Sequence, residues 1–200
     1  MTHVGNNYYV IFQTSWGPFG LLANGQGLLR TSLPGPDTAA RLLAGIERAR
    51  QDRALFADLQ CLIRCYFDGA VVDLSDQVPL VLEANPPYTR AVLEACAKVR
   101  FGQVLTYMEL AARAGRPRAV RPTANALARN PLPLIIPCHR IVRSNGQIGG
   151  FSGPGGIATK RRLLEHESVS IGSKPTVGFE PTTAGLQNQS STIELRWQHI

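Results

Sequence analysis

Two hundred residues, 44% of them hydrophobic and 18% charged, suffice for one large domain or two small ones around a real core, so a packed soluble protein is expected. No stretch approaches the roughly 20 consecutive apolar residues of a membrane span, and the N-terminal MTHVGNNYYV lacks the basic-then-apolar order of a secretory signal, which excludes those classes and points to the cytoplasm. The formal charge of +7 is uneven, with −2 over residues 1–85, +9 over 86–168 and 0 over 169–200, and the basic middle suggests a polyanionic partner.

The first segment, YYVIFQTSWGPFGLLANGQGLLRTSL, reads as three short antiparallel strands with turns at Gly17-Pro18 and at Asn24 to Gly27. Asp37 then caps a helical pattern to about Ala49, and a second helix is expected from Asp52 to about Phe67. VVDLSDQVPLVL suggests another short strand. This slightly acidic part, 1–85, offers no convergent polar cluster and reads as a scaffold domain. The four cysteines are too few and too irregular for a secreted disulfide framework, so reduced thiols are expected. Cys61 and Cys65 share a helical face, but no further metal ligand stands close by in sequence, and with Cys96 they read as buried core thiols.

The two prolines of EANPPYTRA break the chain, and a domain boundary is placed there, with a new helix from about Tyr88 to Val99. RFGQVLTYMELAARAG and RPRAVRPTANALARN follow as two helical patterns separated by Gly115 and Pro117, a helix-turn-helix arrangement with Thr106 and Glu109 forming a capping box. The second helix has no acidic residue. Arg116, Arg118, Arg121 and Arg129 make it basic, and Ala119, Thr123, Ala124, Asn125 and Ala128 keep it slim enough to approach a nucleic-acid groove closely. Pro122 is tolerable if the helix begins near Arg121.

NPLPLIIPCHRIV comes next. The run Leu132 to Ile136 should pack inside, and Pro137 ends any ladder, so Cys138 is expected at the edge of a pocket beside His139 and Arg140, neighbours that raise the thiolate fraction. Residues alone leave a Cys-His hydrolase open, although such an enzyme gives no reason for the basic helix.

The string PCHR within IIPCHRIV, with NPLP upstream and GGFSG before KRRLLEHE downstream, closely resembles the O6-alkylguanine-DNA alkyltransferases, from about Tyr88 to Glu167. The resemblance implies an α/β (α+β) fold: a small antiparallel sheet with helices, ribonuclease H-like, over 1–85, then a mostly helical, winged helix-turn-helix-like DNA-binding and catalytic domain over 86–168. It implies a single-turnover enzyme that takes an alkyl group from O6-alkylguanine, and O4-alkylthymine as well, onto Cys138. His139 would draw the thiol proton through a water, Glu167 would orient His139, Tyr107 would donate to the departing guanine, and Asn130 would hold the active-site turn. Arg121 would be the finger that fills the stack when the base is extruded. Arg118, Thr123, Ala124, Asn125 and Arg129 would contact double-stranded DNA in its minor groove. The backbone at Ser152 would donate to O6, the carbonyls of Cys138 and Ile141 would read the exocyclic amine, and Gly149, Gly150 and Phe151 would shape the pocket. Neither cofactor nor metal is expected, and a monomer suits a stoichiometric reagent. Some relatives hold a structural zinc in the N-terminal region, but here the first sixty residues contain His3 alone and no cysteine. An alkyltransferase-like protein that binds damage and signals is the alternative, but that group lacks the acceptor cysteine.

The chain departs from the family at Pro122, Thr123 and Ala124, where many members carry alanine, valine and glycine. Phe151 replaces a tyrosine of some members, and GGFSGPGG is longer than the glycine loop of some relatives. Residues 169–200 read as a disordered tail, and Gly178-Phe179-Glu180-Pro181 can be encoded by GGG TTC GAA CCC, which resembles the T arm of a transfer RNA gene, so read-through is expected there.

Overall fold

The computed structural model describes residues 6–169, so the expectation for the tail lies almost wholly outside the described residues. It has a mixed α+β fold with a small, mainly antiparallel sheet and six α-helices among the described residues. Strands β1 (Tyr8–Thr14), β2 (Gly17–Asn24) and β3 (Gly27–Ser32) form the meander, and β4 (Arg50–Gln51) joins parallel to β1, giving the order β3-β2-β1-β4. The first turn falls at Ser15 and Trp16 rather than at Gly17-Pro18, which already belong to β2. Gly20 has no side chain because Leu42 of α1 (Thr38–Leu43) lies against it, where a Cβ would meet Leu42 Cδ2 at 2.8 Å.

Helix α1 starts after Asp37 as expected but stops at Leu43, not Ala49. Arg30 on β3 donates to the carbonyls of Leu42 and Ala44 at 3.0 and 2.6 Å and so satisfies the helix end from outside, and Gly45 turns the chain at φ +72°. Helix α2 (Ala57–Phe67) begins five residues later than expected. The Asp52 carboxylate accepts from Ala54 N in a local turn, and Phe56 is left-handed at φ 50°, both incompatible with helix. Leu59, Ile63, Tyr66 and Phe67 of α2 face the core, at helical spacing. Cys61 and Cys65 lie on the opposite side and are exposed, which corrects the expectation that they are core thiols; Cys96 is buried. The stretch 71–82 forms a single bridge, Leu80 with Leu28, rather than a strand.

Helix α3 (Pro87–Ala97) carries Pro87 at its start, where the missing N–H has no intrahelical partner. After β5 (Leu105–Thr106), α4 (Tyr107–Arg113) opens with the capping box: Thr106 Oγ1 accepts from Glu109 N at 3.2 Å, and Glu109 Oε2 accepts from Thr106 N at 2.6 Å. Its end is a Schellman turn in which Gly115, φ +81°, lets Arg116 N reach Ala111 O at 2.9 Å. Helix α5 (Val120–Ala128) follows, with Pro122 as its third residue, again a position whose N–H needs no partner. β6 (Ile141–Val142) pairs parallel with β5, and α6 (Gly156–His166) closes the chain.

One hydrophobic cluster runs through both halves, from Val10 and Phe19 through Ile63 and Tyr66 to Leu93, Leu110, Ile136 and Leu163. The two sequence segments are also tied edge to edge: Thr31 N donates to Pro131 O at 3.0 Å and Thr31 Oγ1 to Pro133 O at 2.7 Å. The N-terminal sheet therefore braces the segment that leads into Cys138.

Candidate active site

The approach to Cys138 is a tight, strained turn. Leu134 sits at φ 78°, a left-handed conformation that costs a branched residue about 1–2 kcal/mol. Asn130 brackets the turn. Its Nδ2 donates to Ile136 O at 2.8 Å while its Oδ1 accepts from Leu132 N at 3.0 Å, and Ile136 N closes on Leu132 O at 2.8 Å. Leu132, Leu134, Ile135 and Ile136 are buried as expected. Cys138–Arg140 is a single turn of 3-10 helix, so Cys138 and His139 do not alternate across an extended strand.

Behind Cys138 lies a buried charge network centred on Glu167. Its Oε1 accepts from Tyr66 Oη at 2.7 Å, from His139 Nε2 at 2.8 Å and from Arg140 Nη2 at 3.0 Å; its Oε2 accepts from Arg140 Nε at 2.8 Å and from Gly102 N at 3.3 Å. Arg140 also donates to Val99 O at 2.6 Å. Burial alone would raise the Glu167 carboxyl, but the hydrogen bonds from His139 and Arg140, with the charge of Arg140 and, in acid where the ring is protonated, that of His139, outweigh it and bring it down to about 2. Glu167 is thus an anion that can only accept, which fixes the proton of His139 on Nε2. The other ring nitrogen, Nδ1, is buried without a hydrogen-bond partner among the described residues, its lone pair free. Burial holds the His139 pKa below its ordinary value despite Glu167, so the ring is neutral at neutral pH.

The thiol is 8% exposed. Burial pushes its pKa above the ordinary value, against the opposing pull of Asn130, Lys160 and the nearby backbone N–H groups. The expected rise in thiolate fraction is therefore absent at rest: a buried neutral thiol stands beside a buried neutral imidazole.

In front of Cys138 opens a cleft of about 690 Å³ whose walls include Tyr107, Arg121, Ala124, Phe151 and Ser152. The structure thus brings these expected residues together around the sulfur. Tyr107 is the first residue of α4, and burial, then the neighbouring Cys138, raise its phenol above the usual range, so it remains a donor. Gly149, φ +77°, passes so close that a Cβ would lie 3.0 Å from the Tyr107 ring and hydroxyl. Ile141 is fully buried, with its carbonyl accepting from Lys160 Nζ. Arg118, Asn125 and Arg129 are exposed but do not line the cleft. Thr123 is a correction: it is fully buried, its hydroxyl 2.7 Å from Tyr88 Oη and donating to Ala119 O at 2.9 Å, so it faces α3 and is not on the open face of α5.

Sequence reasoning missed Tyr66 and Lys160, and it placed Arg140 as a neighbour of the thiol rather than as the partner of Glu167. Lys160, buried on α6, donates to the carbonyls of Ile141 and Gly150 and so joins β6 to the glycine loop; burial lowers its pKa to about 8, although Cys138 and Cys96 pull the other way. Met108, Val120, Arg143, Ser144 and Asn145 also line the cleft. Of these, Asn145-Gly146 carried a turn signal that could have placed its loop at the surface.

Residues 87–169 match the family model described as 6-O-methylguanine DNA methyltransferase, DNA binding domain. The methylated-DNA–protein-cysteine methyltransferase of Methanothermobacter thermautotrophicus is 42% identical over 137 residues, 67% of this chain and 75% of the relative. The human protein of the same name is 46% identical over 99 residues, 49% of this chain and 46% of its own length, so the match spans less than half of that relative. Among solved structures, the Mycobacterium tuberculosis OGT in complex with DNA superposes with a TM-score of 0.68 at 27% identity, covering 82% of this chain and 95% of that one. With its buried Cys-His-Glu arrangement opening onto a cleft beside a basic helix pair, and with an archaeal relative matched over three quarters of its length, the chain belongs to the methylated-DNA–protein-cysteine methyltransferase family.

Proposed function

We propose that the protein repairs alkylated double-stranded DNA by moving the alkyl group of O6-alkylguanine, and of O4-alkylthymine, onto Cys138 in a single irreversible turnover. The observation that carries this reading is the pairing of a neutral thiol in the cleft with a neutral His139 whose only free ring nitrogen is Nδ1. A water between them passes the thiol proton to Nδ1, and Glu167 stabilises the imidazolium that forms. The sulfur then attacks the alkyl carbon. The S–C bond forms as the C–O6 bond breaks, and the electron pair leaves with guanine. Tyr107, held protonated, donates to the ring nitrogen where that charge develops, and the backbone at Ser152 donates to O6. The products are an S-alkylcysteine and a guanine protonated by Tyr107, and the proton held on His139 passes back through water to the phenolate, so that both side chains end neutral. The carbonyl of Ile141 has one lone pair engaged by Lys160 and keeps the other for the exocyclic amine.

The O6 atom lies inside the stack, so the nucleotide must be extruded into the cleft. Arg121, exposed at the cleft wall on α5, fills the space it vacates. Arg118 and Arg129 bind the flanking phosphates, and Ala124 with Asn125 lets the helix enter the minor groove, where the base code is degenerate. Residues 86–168 carry this chemistry, 1–85 brace it, and the protein acts as a monomer.

Incubation with a duplex containing O6-methylguanine, followed by intact-mass measurement, tests the proposal. A gain of one methylene, located at Cys138 and absent in Cys138→Ser, is expected. Unchanged mass with tight binding would instead support a signalling protein, and repeated turnover would exclude a self-consuming one.

A further inference from the structure

Tyr66 carries helix α2 into the network behind Cys138. Its ring is fully buried, and its hydroxyl donates to Glu167 Oε1 at 2.7 Å. The ring alone would fill this space: it stands edge-on to Phe67 and Phe101, with centroids at 5.3 and 6.0 Å, and lies 5.1 Å from the ring of His166. The hydroxyl adds nothing to that packing, and once buried it must find a partner. Burial, then Glu167, raises its pKa above the usual range, so it stays protonated and donates.

What the hydroxyl does to Glu167 follows from where it binds. The carboxylate is oriented without it, because Arg140 grips both oxygens, with Nη2 on Oε1 at 3.0 Å and Nε on Oε2 at 2.8 Å, and Gly102 N reaches Oε2 at 3.3 Å. Tyr66 acts on Oε1 alone, and Oε1 is the oxygen that accepts from His139 Nε2 at 2.8 Å. A carboxylate oxygen offers two lone pairs, and three donors converge on this one, so each weakens the hold of the others. A donor on Oε1 also stabilises the anion and makes it a poorer acceptor toward the imidazole.

The other charged groups acting on the imidazole are Glu167 itself, Arg140 of the same turn and Lys160 of α6. Asp73, from the loop after α2, meets Arg140 at 3.5 Å, and His166 of α6 meets the Tyr66 carbonyl at 2.6 Å. Of these groups, Tyr66 shares with His139 the carboxylate oxygen itself and carries no charge, so it adjusts that oxygen without adding a field of its own.

We propose that Tyr66 is a positioning residue for the transfer, acting through Glu167: its hydroxyl shares Oε1 with His139, restrains the support that Glu167 gives to the imidazolium, and so keeps the thiol proton in place until a base fills the cleft. The inference rests on the alkyl-transfer reading and adds to it a residue outside 87–169, the stretch that matches the family model.

Two changes at position 66 test it in opposite directions. Tyr66→Phe removes the hydroxyl alone, and 3-fluorotyrosine at the same position has a more acidic phenol and is a stronger donor. The titration midpoint of His139 is followed by NMR of its ring carbons, and alkylation of Cys138 by iodoacetamide at about pH 8 by peptide mass. In Tyr66→Phe the midpoint is expected to rise by about one unit and alkylation to quicken about three- to tenfold. In the fluorotyrosine protein the midpoint falls and alkylation slows. Loosened packing does not produce shifts of opposite sign, and the fluorotyrosine protein keeps the hydroxyl and the ring, so its downward shift is required even where Tyr66→Phe does not fold. Midpoints within about 0.2 unit of wild type in both proteins, or shifts of the same sign, overturn the role. Failure of an O6-methylguanine duplex to label Cys138 in the wild type overturns the transfer reading instead, whatever the midpoint of His139.

Discussion

Replacing Glu167 by glutamine keeps the shape of the side chain and removes one charge and one acceptor. Glu167 accepts five hydrogen bonds, from Tyr66, His139, Arg140 twice and Gly102. A glutamine amide placed at Oε2 turns two N–H donors onto Arg140 Nε and Gly102 N, and placed at Oε1 it opposes Tyr66, His139 and Arg140 Nη2. Either way the guanidinium of Arg140, 5% exposed, loses its close bidentate anion and keeps only Asp73, at 3.5 Å. Breaking a buried pair from one side costs about 3–5 kcal/mol. Linkage gives an independent figure: a carboxyl held at about 2 instead of 4.5 stabilises the fold by about 3 kcal/mol.

The sign follows from the depressed value. The contribution is complete above pH 4.5, where the unfolded carboxyl is also ionised, and is lost as pH falls through about 2. Urea unfolding of wild type and Glu167→Gln across this range should therefore show a gap of about 3–5 kcal/mol at pH 7 that closes toward pH 2. The corresponding fall in Tm at pH 7 is about 10 °C. Adding Arg140→Met to Glu167→Gln should recover part of the loss, because the buried cation that has lost its closest anion is then gone. A gap under about 1 kcal/mol at pH 7, or one independent of pH, would refute the reasoning.

Three further outcomes are expected. Arg121→Ala should slow transfer from duplex DNA by about tenfold or more while leaving reaction with free O6-benzylguanine within about twofold, because only the duplex requires extrusion; equal losses would remove its role as a finger. Lys160, held at about 8 by burial, is charged in both states below that pH, and in the unfolded chain alone between about 8 and 10.5, so its contribution to stability rises across that window by about 3 kcal/mol. The stability difference between wild type and Lys160→Met, followed by urea unfolding from pH 8 to 10.5, should grow by that amount. Gly149→Ala should lose about 1–2 kcal/mol from its positive φ and should also displace Tyr107, so transfer should slow even at temperatures where the variant is fully folded.

The features legible in the sequence were the local ones. Thr106 and Glu109 are three residues apart, and Gly115 stands at the end of its helix, so the capping box and the break between the two helices could be read directly. The early end of α1 could not, because its cap is a side chain from β3, Arg30. The buried network was half legible. His139 and Glu167 came through the family likeness, but Tyr66 meets Glu167 across 101 residues with no spacing to announce it. Cys61, Cys65 and Thr123 were misplaced for a different reason: each was assigned from residue type, although helical phase decides. On α2 the core positions are 59, 63, 66 and 67; on α5 they are 123, 126 and 127, which puts Thr123 inward.

The resting ionisation state bears on why such a site suits a reagent consumed by its own reaction. A standing thiolate in an open cleft would react with any small electrophile, and each such event would remove a molecule of protein. Here burial raises the thiol of Cys138 and lowers the imidazole of His139, so forming the thiolate–imidazolium pair before substrate arrives is unfavourable from both sides. The ionised Glu167, fixed by Arg140, lowers the cost of the imidazolium once the proton moves, and an alkylated base in the cleft offers the sulfur its carbon at the same moment. Selectivity in the proposed reaction thus comes from withholding the nucleophile until a base is in place. A thiol with a lowered pKa would be faster toward every electrophile and would spend itself on the wrong ones. Slow reaction of Cys138 with iodoacetamide at pH 7, relative to exposed Cys61 and Cys65 in the same molecule, is the corresponding measurement. Labelling of Cys138 ahead of those two would contradict the withheld-nucleophile argument.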